Sequence, residues 1–261
     1  MSCSVVIPAH NEAELLPRGL RAIARAAERF GEPVEVIVVA NRCTDATADL
    51  ALASGARVVT SGARNIAAVR NSGAAVATGD VLVTIDADSV MSPFALCDIA
   101  QLLATGRYVG GGTRFHPERR SVGITATTTL VGVLTATVGL SGAMFWCGRQ
   151  DFEAIGGFDE TLLVAEDLDF ARRLRAHGRR TNRRFTTLRT APVVVSCRKF
   201  DRFGDWHLFA MAGQLRQIRA SATGTDSAWV DHYFFDFNDG PPEDPATART
   251  SRDDAAREPN L

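Results

Sequence analysis

The feature that most constrains this chain is an alternation in its first third, where short apolar runs are separated by segments of helical spacing. Ser4–Pro8 (SVVIP), Val34–Val39 (VEVIVV), Arg57–Val59 and Val81–Ile85 (VLVTI) are too short for buried helices and are bounded by turn residues, so they read as strands. Leu15, Leu16, Leu20, Ile23, Ala24 and Ala27 recur at helical spacing. Pro17 sits in the first turn of that helix, where its missing N–H costs nothing, and Gly31 and Pro33 stop it. Thr44 is the expected cap of a second helix ending at Ser54 and Gly55, and Ala63–Thr78, closed by Gly79, forms a third. This alternation predicts a parallel, doubly wound α/β sheet, whose ligands bind at the carboxyl ends of the strands. His10, Asn11 and Glu12 after the first strand, Asn41 after the second and Asp86–Asp88 after Val81–Ile85 should therefore face one crevice.

The second half is less regular and predicts a mixed arrangement. Ser92–Pro93 opens a helix to about Leu103, Tyr108–Phe115 and Ser141–Trp146 are strands, and Ala165–His177 is a helix closed by Gly178. Val193–Ser196 is a late strand and Trp206–Arg219 a helix. From Asn238 onward Gly, Pro and charged residues dominate, so 238–261 is expected to be a disordered tail behind a single domain over 1–237.

Composition narrows the function classes. Hydrophobic residues are 46% and charged residues 23% of the 261, ordinary for a globular chain. A net charge of -1 supplies no electrostatic drive toward nucleic acid. Nearly all the basic charge is arginine, and Lys199 is the single lysine. Cys3, Cys43, Cys97, Cys147 and Cys197 contain no CxxC pair, which argues against a zinc site and for reduced thiols in a cytoplasmic protein. The start of the chain has no basic n-region and no signal-peptide core. Residues 121–148 carry no charge, but six threonines and five glycines dilute them below what a spanning helix needs. They read as a buried helix followed by a buried strand, with a shallow contact to a membrane or a partner as the alternative.

Three constellations can carry chemistry. Asp86-Ala87-Asp88 ends an apolar strand, so both carboxylates leave it in nearly one direction, and two hard oxygen ligands can share a divalent cation with a diphosphate. Glu166-Asp167 opens a helix; acids there are favoured by the helix dipole alone, and the same dipole keeps a carboxylate ionised for work as a base. Arg64 and Arg70 lie six apart, so one can meet phosphate while the other is solvated.

Taken together, these residues resemble the inverting nucleotide-sugar glycosyltransferases of family 2, with their GT-A fold. VVIPAHNEAELLPRGL is similar to the family's first strand and helix, ARNIAAVRNSGAAVATGDVLVTIDAD to its central signature with the metal-binding DxD, and SGAMFWCGRQDFEAIGGFDETLLVAEDLDFARRLRAHGRR to its acceptor-side signature. The resemblance spans about residues 4–204 and implies a donor half over about 1–115 and an acceptor half over about 116–237. It implies Asp88 as metal ligand, Asp86 near the ribose or the metal, and Pro8, His10, Glu12, Asn41, Arg70 and Arg198 on the donor side. Gly142 and Ala143 would line the acceptor side, Asp167 would be the general base with Glu166 positioning it, and His207 is a candidate additional ligand of a Mn2+ or Mg2+ ion. His10 stands where the family often has tyrosine, and Asn41 where an aspartate usually reads uracil. UDP-sugar is thus the favoured donor, with GDP- and dTDP-sugars open. The late Gln-x-x-Arg-Trp motif of polymer-forming members is absent; Gln214 and Gln217-Ile218-Arg219-Ala220 are only faintly similar.

The resemblance implies a soluble, metal-dependent enzyme in the cytoplasm or peripheral at the inner membrane face. Two rivals are a nucleotide-sugar binder without activity and a nucleotidyltransferase. The latter wants a glycine-rich basic loop after the first strand, and Pro8-Ala9-His10-Asn11-Glu12 is neither.

Overall fold

The computed structural model describes residues 1–138, 143–163 and 165–206. Its strands are β1 (Cys3–Ala9), β2 (Val34–Asn41), β3 (Arg57–Ser61), β4 (Val81–Ile85), β5 (Ser89–Val90), β6 (Tyr108–Pro117), β7 (Met144–Gly148) and β8 (Arg184–Val195). The helices are α1 (Leu16–Phe30), α2 (Thr47–Ala53), α3 (Ile66–Ala75), α4 (Ala95–Ala104), α5 (Val122–Val138), α6 (Arg149–Ala154), α7 (Glu166–Arg180) and α8 (Arg198–Phe203). All eight strands join one sheet in the order β3-β2-β1-β4-β7-β6-β8-β5. β3, β2, β1 and β4 run parallel, β7 is antiparallel to both its neighbours, β6 pairs β8 in parallel, and β5 closes the edge antiparallel to β8.

Each strand sends alternate residues to opposite faces, as a pleated chain must. Val5, Ile7, Val38, Val83, Ile85 and Trp146 meet Leu16, Leu20 and Ile23 of α1 and Leu96 and Ile99 of α4 in one core. Val6, Ile37, Val39, Leu82 and Phe145 meet Val69 of α3 and Phe170 and Leu174 of α7 in the other. α3 comes unusually close to the sheet because Gly73 has no Cβ; one placed there would lie 2.8 Å from Val39 Cγ2. The second core is aromatic: the Phe158 and Phe170 rings stack at 4.2 Å, with Phe152 against both. Full burial of side chains this size is worth about 1.5–3 kcal/mol each.

The uncharged stretch is a helix, α5, followed by a strand, β7, but α5 is not buried throughout as expected, since Val122 and Leu130 are exposed. No helix among the described residues is long and apolar enough to cross a membrane. All five cysteines are free thiols. Several boundaries differ from expectation. α2 begins at Thr47, because the Asp45 carboxylate, three residues into the turn, receives the Thr47 N–H at 3.0 Å. α3 starts at Asn65, whose side chain accepts the Ala67 N–H at 2.7 Å. α7 runs through Gly178 to Arg180. β8 is twelve residues long rather than four, and α6 and β5 were not foreseen. The expected Trp206–Arg219 helix, beyond Trp206 itself, and the 238–261 tail lie outside the described residues.

Candidate active site

The carboxyl edge of the parallel strands is where the sequence places its polar residues, and the turns there are tied to one another. β1 delivers His10, Asn11 and Glu12. Asn11 takes a left-handed φ of 50° and its Oδ1 accepts the Thr44 N–H at 2.8 Å. Glu12 N donates to Thr47 Oγ at 2.8 Å, and Ala13 N to Asp45 at 3.0 Å, so the turns after β1 and β2 form one unit. His10 Nδ1 lies 2.7 Å from the Asn41 carbonyl. Asn41 is 2% exposed, and its side-chain Oδ1 has no hydrogen-bond partner in the structure. A buried polar atom left unpaired is uncommon in a folded protein.

Beyond β4 the chain passes through Asp86, Ala87 and Asp88 into β5. Gly19 of α1 packs beneath this turn: a Cβ there would lie 3.3 Å from the Ala87 carbonyl and 3.1 Å from that of Ser89. β5 pairs Ser89 with Val195 and Val90 with Val194. The residues that follow Val195 therefore lie opposite Asp88, and α8 opens there with Arg198 and Lys199. Arg198 donates to Glu12 at 2.7 Å and stands 3.9 Å from Asp88. Burial pushes the Asp88 carboxyl up to about 6, Asp86 and Glu12 add to the rise, and Arg198 and Lys199 oppose it. Burial lowers the Lys199 ammonium, against the pull of Asp88 and Asp86.

Arg70 joins this acidic turn to α7. Its guanidinium, 7% exposed, donates to Asp86 at 2.9 Å and to Glu166 at 2.6 Å and lies over the Phe158 ring at 5.3 Å. Burial raises the Glu166 pKa more than Arg70 lowers it, and the Asp167 charge adds to the rise. Arg64, by contrast, lies before α3 and is exposed. Ala165 precedes Glu166 at a φ of 63°, an uncommon left-handed conformation for alanine that turns the chain into α7. Asp167 is half-buried, accepts the Leu168 N–H at 2.7 Å and makes no ion pair among the described residues. The segment before α7 is held from α3. Asn65 donates to the Glu160 and Leu162 carbonyls at 2.7 Å, and Asn71 donates to the Phe158 carbonyl at 2.8 Å and accepts its N–H at 2.9 Å.

Of the residues expected at the site, His10, Glu12, Asn41, Arg70, Asp86, Asp88, Glu166, Asp167 and Arg198 thus gather along one edge. Pro8 is buried within β1 beside Val39, and Ala143 packs against the first core at the start of β7. Gly142 and His207 lie outside the described residues. Among the described residues no three ligating side chains converge as a metal site. The sequence reading missed Asn65 and Lys199. A helix-start asparagine and a lone lysine beside a site arginine were the available signals.

Comparison with known proteins follows this geometry. Residues 4–147, more than half the chain, match the family described as glycosyl transferase family 2. A relative from Pectobacterium carotovorum subsp. carotovorum, undecaprenyl-phosphate 4-deoxy-4-formamido-L-arabinose transferase, is 29% identical over 155 residues, covering 55% of this chain and 46% of the relative. The chain thus spans about half the length of such curated relatives. The fold is similar to that of the mannosyltransferase PcManGT from Pyrobaculum calidifontis, solved with GDP-Man and Mn2+, at TM-score 0.61, 19% identity and coverage of 97% of this chain and 79% of that one. It is also similar to glucosyl-3-phosphoglycerate synthase from Mycobacterium tuberculosis, solved with Mn2+, UDP and phosphoglyceric acid, at TM-score 0.56, 21% identity and coverage of 87% and 80%. The mixed sheet, with its parallel half and β7 reversed, is the GT-A fold of these enzymes. With sequence and fold in agreement, the chain belongs to glycosyl transferase family 2.

Proposed function

We propose that this glycosyltransferase moves a sugar from a nucleoside-diphosphate donor to an acceptor hydroxyl, with inversion at the anomeric carbon and with a divalent cation, Mn2+ or Mg2+, on Asp88 and Asp86. The observation that carries the reading is Arg70, which spans from Asp86 to Glu166 and so puts the acidic strand end and the acid pair of α7 on either side of one guanidinium. The chemistry of the donor set fits a cation: Asp88 stands among Asp86 and Glu12 with its carboxyl pushed up to about 6, an excess of negative charge that a cation would relieve. Bound there, the ion would supply positive charge to the departing diphosphate. The Mn2+ in both solved neighbours supports this reading.

Asp167 takes the proton of the acceptor hydroxyl as its oxygen attacks the anomeric carbon. The bond from that carbon to the diphosphate oxygen breaks, and its electron pair leaves with the nucleoside diphosphate. Glu166, locked by Arg70, orients this end of α7. Asn41, with its buried Oδ1, faces the base, and UDP is the favoured nucleotide with GDP and dTDP open. A domain over 1–237 with donor and acceptor halves and a location at the inner membrane face belong to the same proposal. Exposed Val122 and Leu130 of α5 and the undecaprenyl-phosphate acceptor named for the relatives support the last point.

A thermal-shift screen of UDP-, GDP- and dTDP-sugars with Mn2+ or Mg2+ tests the reading. A ligand at about 100 times its dissociation constant adds roughly 2.7 kcal/mol of stability. Asp88→Ala should abolish the metal-dependent part of that gain and leave the fold intact. Equal nucleotide affinity with and without EDTA, in wild type and variant alike, defeats the metal assignment. Binding without release of nucleotide in the presence of a cell-extract acceptor favours the inactive binder instead.

A further inference from the structure

Resting on the reading of Asp167 as the base, we infer that Asn65 is a positioning residue for transfer, because it pins the chain that leads into the acid pair of α7. Its side-chain amide does two jobs at once. Oδ1 caps α3 by accepting the Ala67 N–H at 2.7 Å. Nδ2 has two hydrogens and donates to the Glu160 carbonyl and to the Leu162 carbonyl, each at 2.7 Å. These partners fix which way the amide points. Turned over, it would set its amine against an N–H and its oxygen against two carbonyls. Capping alone does not call for asparagine, since aspartate and serine cap a helix about as well. Neither of them can make both donations, so the second job is what requires the amide.

The two carbonyls are presented by a turn that holds its own shape. Asp159 Oδ1 accepts the Thr161 N–H at 2.9 Å and the Thr161 hydroxyl at 2.7 Å, and the Leu162 N–H donates to the Asp159 carbonyl at 3.3 Å. These local bonds set the form of the turn but not its place, and its place comes from α3. Asn71 holds both backbone groups of Phe158 on one side of the turn, and Arg70 holds Glu166 at 2.6 Å on the other. Asn65 is the anchor between them. The same helix reaches the acidic strand end, through Arg70 and Asp86 at 2.9 Å. One element thus sets the distance from the donor edge to the start of α7. Asp167 makes no ion pair among the described residues, so its position depends on the backbone that carries it. A displacement of about 1 Å at a reacting group can cost on the order of 100-fold in rate.

Asn65→Asp and Asn65→Ser, each made in the full chain, separate the two jobs, because both keep the cap and lose the paired donation. Amide hydrogen exchange should speed up at residues 159–163 and stay at the wild-type rate within α3. Calorimetric affinity for UDP, GDP or dTDP in the presence of Mg2+ should be nearly unchanged. Release of nucleotide from the matching sugar donor, with a cell extract supplying the acceptor, should fall about 10- to 100-fold in kcat while the KM for donor holds. Agreement between the two variants shows that the added charge of aspartate is not the cause. A purely structural role predicts faster exchange in α3, a lower melting temperature and a normal kcat. That pattern, or wild-type exchange at 159–163, overturns the inference. Near-normal transfer by Asp167→Asn overturns the base reading and the inference with it. Impaired transfer by Asp167→Asn beside normal transfer by both Asn65 variants overturns the inference alone.

Discussion

The two ends of the sheet both carry buried or partly buried carboxylates, and they treat them in opposite ways. At the amino end, Glu35 accepts hydrogen bonds from the Ser4 hydroxyl, from Thr78 N–H and O–H and from Gly79 N–H. Burial alone would raise its pKa, but these bonds outweigh burial and hold it below the ordinary value. On the same edge, Asp151 of α6 receives both arms of Arg183 at 2.6 and 2.8 Å and His177 Nε2 at 3.0 Å, which fastens α6 to the end of α7. At the carboxyl end, Asp88 and Glu166 both rise. Acids there are crowded against acids, and the nearby cations are shared or committed. Satisfied carboxylates stabilise the fold; the crowded ones are those the proposed function assigns to the metal and the acceptor.

The sharpest test of this contrast is Asp167→Asn, which keeps the shape and removes the basicity. Transfer to a true acceptor should fall by about 10²–10⁴-fold while nucleotide affinity and melting temperature change little. If Asp167 only serves the helix dipole, the variant loses roughly 0.3–1 kcal/mol of stability and turns over normally. Near-normal transfer would move the search for the base to Glu166 or Asp169.

The mirror experiment is at the other end. Asp151→Ala leaves Arg183 and His177 without their acceptor and should cost about 1–3 kcal/mol by urea unfolding, with nucleotide affinity unchanged. Loss of binding with no loss of stability would erase the distinction between the two ends.

The smallest effect is the pH dependence at Glu35. Its folded pKa lies below the unfolded one, so its ionised form stabilises the fold at neutral pH, and that share is lost as pH falls through the folded value. Melting temperatures of wild type and Glu35→Gln should therefore differ at pH 7 and converge on acidification. A gap that stays constant from pH 7 to 3 would show that the carboxylate is not held in its charged form.

The parallel half of the sheet was legible because its strands are short runs rich in valine and isoleucine, separated by helical segments that close on Gly31, Gly55 and Gly79. The second half hid its structure for identifiable reasons. β8 contains Pro192 and two arginines, Arg184 and Arg189, which argue against a strand by pattern. It survives because its pairing with β6 skips from Leu188 to Val193 while β6 advances only from Thr113 to Phe115, so the proline sits in the irregularity. β5 is two residues long and has no pattern of its own. Without it, nothing in the sequence says that the chain after Val195 lies opposite Asp88. The donor-side acids could be placed because they terminate strong strands. Arg70 could be singled out, but not its partners, since the Asp86 and Glu166 contacts depend on how closely α3 approaches the sheet, which Gly73 sets.

The Glu12–Arg198 pair joins positions 186 apart in sequence. Contacts of such separation form late, since a long loop must close before they reward the chain. During synthesis the parallel half can therefore collapse around its first core while the donor-facing edge still lacks α8. A nascent chain halted before β8 would be compact yet blind to nucleotide, and nucleotide capture would report that the final segment of the sheet has docked.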